Sequence, residues 1–576
     1  MTLPAFPTSV DEIDATCWES FQPYYTALQQ QPLTPENIHA WLAEWSKLFR
    51  LYDEAESLIH IRKSQDTADT ETEQAFLNHL NHVMPQAFVA EQALKERLIQ
   101  LNPQQYGLEN IKPVLRDLQN DADIFREENV PLLARIAELD NEHNKITGGL
   151  LATWQGQEKN LNQLQILLQA KERSVRQKAW LAIHDLWLSV REPLNNIYQQ
   201  MIDMRCQIAE NAGFTDYRAY TFQEKRRYDY SPDNCLRFHD AIEAVVVPAA
   251  KKIYEKKRRR LDVERLRPWD TSVEPSDSNP LKPFKGQTQL VQHSLNIFHK
   301  VDPELGRFLA TMAEEELLDL ETRAGKALGG YCSTLTWRKR PFIFMNSVGS
   351  HDDVQTMLHE AGHAFHAFES VDLPLFWQTE SPMEFCEVAS MSMELLAAPY
   401  LTKDQGGFYT PAEAARARIE HLEGIITFWP YMAVVDAFQH WVYTHPTEAR
   451  NSDNCDAAWD ALWNRFMIGI DWSDYEPMRE TGWHRKLHIF SAPFYYIEYG
   501  MAQVGAVQVW RNSLVDQKTA VANYRQALAL GNTKSLPELF ATAGAEFRFD
   551  KPMLQELVAL LEETIAQLET TISLES

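Results

Sequence analysis

The chain has 576 residues, 44% of them hydrophobic, and a formal net charge of −26. That is ample material for a large apolar core, in a glycine-poor composition that favours helices over sheets. The negative charge repels phosphate backbones, which argues against nucleic-acid binding and suits solubility.

The start, MTLPAFPTSVDEID, has no basic n-region and no apolar h-region, so it does not read as a signal peptide. From 11 to about 190 the pattern is almost continuous helix. Leu94, Leu98 and Leu101 recur at i, i+4, i+7, as do Leu132, Ile136 and Leu139, with breaks at Pro103, Pro131 and Gly148-Gly149. No obvious chemistry falls here. The expected organisation is an N-terminal helical domain over 1–190, acting as a wall or lid, and a catalytic domain over 191–576.

The basic run Lys251, Lys252, Lys256, Lys257, Arg258, Arg259 and Arg260 reads as a solvated helix face balanced by acids such as Glu255, rather than as an anion site. Residues 270–287, with three prolines, read as an exposed loop. Gly329-Gly330 marks a turn. Phe342, Ile343, Phe344 and Met345 form the best strand pattern in the chain, and the leading Pro341 suggests an edge strand.

Residues 350–368 read SHDDVQTMLHEAGHAFHAF. Ser350 and Asp353 form a capping pattern that starts a helix at about His351. On that helix His359, Glu360 and His363 make H-E-x-x-H. A spacing of four sets the two imidazoles one turn apart, so both can reach one metal ion, while Glu360 can hold a metal-bound water as general base. The small pair Ala361-Gly362 lets another element approach closely. Zinc prefers four ligands and a catalytic site keeps one for water, so a third protein ligand is needed. A second helix starts at Ser381-Pro382-Met383-Glu384, with Ser381 as cap, Pro382 in the first position and Glu384 closing the box. Geometry leaves Glu387 and Glu394, seven apart on one face, as candidates for the third ligand. His366 stands where a three-histidine motif would need glycine, and reads as a core or supporting residue. Further on, HIFSAPFYYIEY holds His488, Tyr495, Tyr496 and Tyr499, which are either an aromatic core stripe or donors to a tetrahedral oxyanion.

The most apolar stretch, 424–435, is interrupted by Pro430 and is too short to span a bilayer, which takes about 20 residues. The end of the chain returns to helix, with Leu554, Leu557, Leu561, Ile565 and Leu568 on one face. The six cysteines (Cys17, Cys206, Cys235, Cys332, Cys386, Cys455) form no C-x-x-C pair and fit a reducing compartment. The reading is a soluble, cytoplasmic protein with no membrane or nucleic-acid partner; the oligomeric state stays open.

Taken together, TMLHEAGHAFH, EFCEVASMSMELL and GWHRKLHIFSAPFYYIEYGMAQ resemble the oligoendopeptidase F branch of the thimet oligopeptidase family, in order and spacing over about 320–510. The resemblance implies a mainly α fold of two helical halves around a deep channel, with a small sheet beside one zinc ion per chain. It implies His359, His363 and Glu387 as ligands, Glu360 as base, and Glu394 as a carboxylate orienting a ligand histidine. It implies His488, Tyr496 and Tyr499, with Tyr495 as a further candidate, for substrate binding and oxyanion stabilisation. It makes Gly329, Gly330 and Phe344 part of a segment that pairs with the substrate backbone. The implied activity is a zinc endopeptidase cutting short peptides. A zinc carboxypeptidase or dipeptidyl carboxypeptidase, using Arg338, Arg340 or Arg485 for a terminal carboxylate, is the alternative. A peptide-binding scaffold without catalysis is the non-enzyme reading.

Overall fold

The structure is a computed structural model that describes residues 3–103, 111–273, 280–327 and 329–575. Among the described residues helices dominate, and two small sheets interrupt them. The chain divides into two compact units, each assembled from three stretches. One comprises Met1–Ala134, Lys282–Ala414 and Gly505–Phe547; the other comprises Arg135–Leu281, Ala415–Val504 and Arg548–Ser576. These units cross the linear boundary at residue 190. No described helix is long and apolar enough to cross a membrane.

In the first unit the long helix Ile38–Gln65 buries a periodic stripe, Trp41, Leu42, Trp45, Leu48 and Leu51, each fully enclosed. Leu94 and Leu98 of the helix Met84–Gln100 join the same core, and so do Leu375, Phe376 and Trp377 from far along the chain. Trp45 meets Trp377 edge to face, with ring centroids 4.6 Å apart. Each such enclosed side chain is worth about 2–3 kcal/mol by area. The N-terminal helices therefore share a core with the segment that follows the H-E-x-x-H helix.

The hairpin in the second unit pairs β1 (Leu151–Trp154) with β2 (Gln157–Asn160). It follows the Gly148-Gly149 break, where sequence reading expected only an interruption between helices. Its two-residue turn places Gln155 and Gly156 at φ 51° and 82°, the mirror-image turn whose twist suits a hairpin. The basic run ends the helix Pro232–Arg260 as a solvated face: Arg258 and Arg259 pair with Glu255, Lys252 with Glu562, and Lys256 with Glu423 and Glu569. Of the proline-rich loop, residues 274–279 lie outside the described residues, and 280–285 carry no regular structure.

The second sheet belongs to the first unit, in the order β3 (Leu318–Glu321), β5 (Arg340–Ser347), β4 (Tyr331–Leu335). The strand read from Phe342–Ile343–Phe344–Met345 is thus central, not an edge. Pro341 is tolerated because it stands second in β5, opposite Thr334 of β4, while pairing with β3 begins only at Ile343. A missing N–H at that end costs no ladder bond on the β3 side. The buried Lys326 ammonium pins the sheet by donating to the Asp319 carboxylate and to the carbonyls of Asp319, Glu321 and Met345.

Candidate active site

The H-E-x-x-H residues lie on the helix His351–Ser370. Ser350 caps it as its sequence requires, accepting from the Asp353 N–H, and the Asp353 carboxylate accepts the N–H groups of Val348, Gly349 and Ser350 at 2.7–2.9 Å. The register of the motif is therefore set within one turn of its start. β4 and β5 pack against this helix on one side, and the helix Met383–Ala397 on another.

That second helix comes close because of Gly362. A Cβ there would meet the Cα of Ser390 at 2.5 Å and the carbonyl oxygen of Ala389 at 2.8 Å. The contact brings Glu387, itself only 2% exposed, up to both histidines. Its Oε2 lies 3.4 Å from His359 Nε2 and 3.6 Å from His363 Nε2. Ligands at about 2.0–2.2 Å in a tetrahedral array stand about 3.4 Å apart, so the three atoms fit one zinc-sized ion. Ser390 Oγ donates to the same Glu387 oxygen at 3.1 Å. Glu394, the other candidate, takes the supporting position: its Oε1 is 2.7 Å from His359 Nδ1. A carboxylate only accepts, so Nδ1 carries the proton and the Nε2 lone pair is left for the ion. Glu387 and Glu394 thus meet opposite nitrogens of His359.

Glu360 is buried, and burial pushes its carboxyl up to about 7, where a general base works at neutral pH. Gly330 lies beside it: a Cβ there would sit 3.8 Å from Glu360 Oε1 and 3.3 Å from both the Phe344 carbonyl and Thr356 Cγ2. Gly329 adopts φ +94°, a conformation that favours glycine. Phe344 is fully buried and stacked on Tyr331, with ring centroids 4.9 Å apart. Both edges of its strand are taken, so the strand order leaves β4 at the edge. His366 is buried and bonds Ser381 Oγ at 3.0 Å, and burial holds its imidazole down to about 3. Ser381 therefore does not cap the following helix; the cap position falls on Pro382, without a side-chain bond.

The remaining sequence candidates belong to the second unit and form a cluster of their own. His488 has ring contacts with Tyr495, Tyr496 and Tyr499 at 5.8, 5.1 and 5.7 Å, and its Nε2 lies 3.4 Å from the Tyr499 hydroxyl. Phe428 and Tyr431 pack on Tyr496. Sequence reading missed Lys486, whose Nζ donates to the Tyr496 hydroxyl at 3.1 Å. The only signal for it was a lysine two residues before His488. Of the arginines considered for a terminal carboxylate, Arg338 is held by Glu54 and Arg340 by Glu315, and Arg485 donates to the Met478 carbonyl.

The model of peptidase family M3 matches residues 166–559, and that of the M3 N-terminal domain matches residues 12–121. An oligoendopeptidase F homologue of Borreliella burgdorferi is 21% identical over 78% of this chain and 73% of its own. The chromosomal oligoendopeptidase F of Lactococcus lactis subsp. cremoris is 20% identical over 70% of this chain and 65% of its own. Among solved structures, PZ peptidase A with inhibitor 2 superposes with a TM-score of 0.88 and 27% identity, over 98% of both chains. The chain belongs to the oligoendopeptidase F branch of peptidase family M3 and is a metalloendopeptidase, a hydrolase of peptide bonds.

Proposed function

We propose that the enzyme is a zinc oligopeptidase that cuts internal bonds of short peptides, with Glu360 as general base. The observation that carries this is the convergence of His359, His363 and Glu387, with Glu394 behind His359 and Glu360 beside the group. Two imidazoles and one carboxylate suit zinc better than the harder divalent ions. Zinc held there supplies Lewis acidity, polarising a carbonyl and acidifying water. Glu360 takes the proton of the attacking water and returns it to the leaving amine. An extended peptide pairs along the β4 edge beside Gly330 and Glu360, by strand addition. By the resemblance, Tyr496, Tyr499 and His488 are the candidate donors to a developing oxyanion. Arg338 and Arg340 are already paired with carboxylates, which supports internal cleavage over capture of a terminal carboxylate. Six cysteines outside any disulfide support a cytoplasmic place of action.

The test combines Glu360→Gln with product mapping on peptides blocked at both ends. The variant is expected to keep its zinc and to lose about 10²–10⁴ in kcat. Wild-type enzyme is expected to cleave the blocked peptides internally and to leave folded proteins intact. A variant with wild-type turnover refutes the role of Glu360, and cleavage of folded proteins refutes the restriction to short peptides.

A further inference from the structure

Lys486 is placed with more care than a surface lysine needs. It lies between the turn Thr481–Arg485 and the short helix Leu487–Ser491. Its own N–H donates to the Trp483 carbonyl at 3.2 Å, and its carbonyl accepts the Ile489 N–H at 3.1 Å. Trp483 is fully buried and anchored through its indole N–H to Asp456 at 2.7 Å. The backbone of Lys486 is thus tied down at both ends of one residue.

Its side chain enters an aromatic corner. Nζ stands 5.2 Å from the ring centroid of Tyr431 and 4.6 Å from that of Tyr496, and it donates to the Tyr496 hydroxyl at 3.1 Å. Ring quadrupoles and a hydroxyl lone pair therefore hold the same ammonium. Tyr496 is 6% exposed, and burial pushes its phenol up, so the hydroxyl keeps its proton.

An ammonium has three donors and no acceptor, and a phenol has one proton. When Lys486 occupies a lone pair of the Tyr496 oxygen, the phenol proton has to point elsewhere. We infer that Lys486 is a positioning residue for Tyr496: it turns the hydroxyl outward as a hydrogen-bond donor and polarises its O–H bond. The inference rests on the reading of Tyr496 as an oxyanion donor. A group that serves only a developing oxyanion strengthens the transition state and not the ground state, so Lys486 acts on kcat and leaves KM alone.

The experiment is a double-mutant cycle on the zinc-loaded full chain with a quenched-fluorescent peptide. Lys486→Met is expected to lower kcat about tenfold with KM unchanged, a loss the size of one hydrogen bond to a charged group. Lys486→Arg, also a pure donor, is expected to restore most of the rate. In a Tyr496→Phe background, Lys486→Met is expected to cost nothing further, because its target hydroxyl is gone. Metal content and melting temperature, measured on all five proteins, separate these effects from misfolding. The inference is overturned if Lys486→Met lowers kcat by the same factor with and without the Tyr496 hydroxyl. It is also overturned if Lys486→Met keeps the full rate while Tyr496→Phe loses it, or if the loss falls on KM. A Tyr496→Phe enzyme with full kcat overturns both the inference and the reading beneath it, which distinguishes that failure from the others.

Discussion

Two histidine–carboxylate clusters in this molecule use the same ingredients and come to different ends. In the first unit, His359 and His363 are four apart on one helix and Glu387 and Glu394 come from another. In the second, Cys235 and His239 are four apart on Pro232–Arg260, and Asp436 and His440 are four apart on Pro411–Thr444. Ligand atoms of Cys235, Asp436 and His440 also lie within 4.8 Å of one another. The difference is where the carboxylate spends its lone pairs. Glu394 takes the outer nitrogen of His359, and the inner nitrogens of both histidines stand 3.4 and 3.6 Å from one Glu387 oxygen, a spacing that a single ion can fill. Asp436 instead accepts directly from His239 Nε2 at 2.9 Å, and Arg218 stands 3.5 Å from His440 Nδ1. His359 and His363 are half-buried, whereas Cys235, His239, Asp436 and His440 are all enclosed. Spacing brings ligand atoms together; an outside partner and access for an ion make them a metal site.

The largest effect that tests this contrast is metal content. Glu387→Ala is expected to lose the bound zinc and the peptidase activity with it, whereas Asp436→Ala keeps one ion per chain by elemental analysis. A second ion in the wild type that Asp436→Ala removes would break the comparison. Stability comes next. Leaving a buried imidazole N–H without its charged acceptor costs about 3 kcal/mol, so Asp436→Asn is expected to lower the unfolding free energy from a urea titration by about that much at pH 7. Although burial opposes its charge, the His440 and His239 imidazoles hold the Asp436 carboxyl well below the usual range. A depressed carboxylate stabilises above its unfolded value near 4, and that share is lost as pH falls below it. The gap between wild type and Asp436→Asn is therefore expected to close below about pH 4, and a gap that widens there would contradict a charged Asp436 in the native state. The smallest effect sharpens the role of the outer carboxylate. Glu394→Ala is expected to weaken zinc binding about 10- to 100-fold without abolishing it, measured by competition with a chelator. A loss as complete as that of Glu387→Ala would make Glu394 a ligand.

Part of the site was legible because it is local. The H-E-x-x-H spacing, the Ser350/Asp353 cap and the tight residue Gly362 all act within a few turns of one helix, where period and capping decide the geometry. The second helix was legible in place but not in its first turn. Ser381 reads as a cap, yet its hydroxyl goes to His366, a partner fifteen residues away that capping rules do not see. Pro341 suggested an edge strand because a missing N–H is usually read against both neighbours, and here β3 joins the sheet only beyond it. Lys486 was passed over because its partner is set by how a turn, a short helix and a long helix meet.

By itself, then, the sequence determined a mainly helical chain, the capped helix that carries H-E-x-x-H, and the oligoendopeptidase F character of the motifs, since each rests on short-range spacing. The two glutamates could be told apart in the sequence only through the resemblance; the tertiary structure alone showed which nitrogen of His359 each one meets, that β5 is central, and that the units are each woven from three distant stretches. Those outcomes depend on side chains that meet across long sequence separations, and nothing in a 3.6- or 2-residue period specifies which of two equally spaced carboxylates will arrive there.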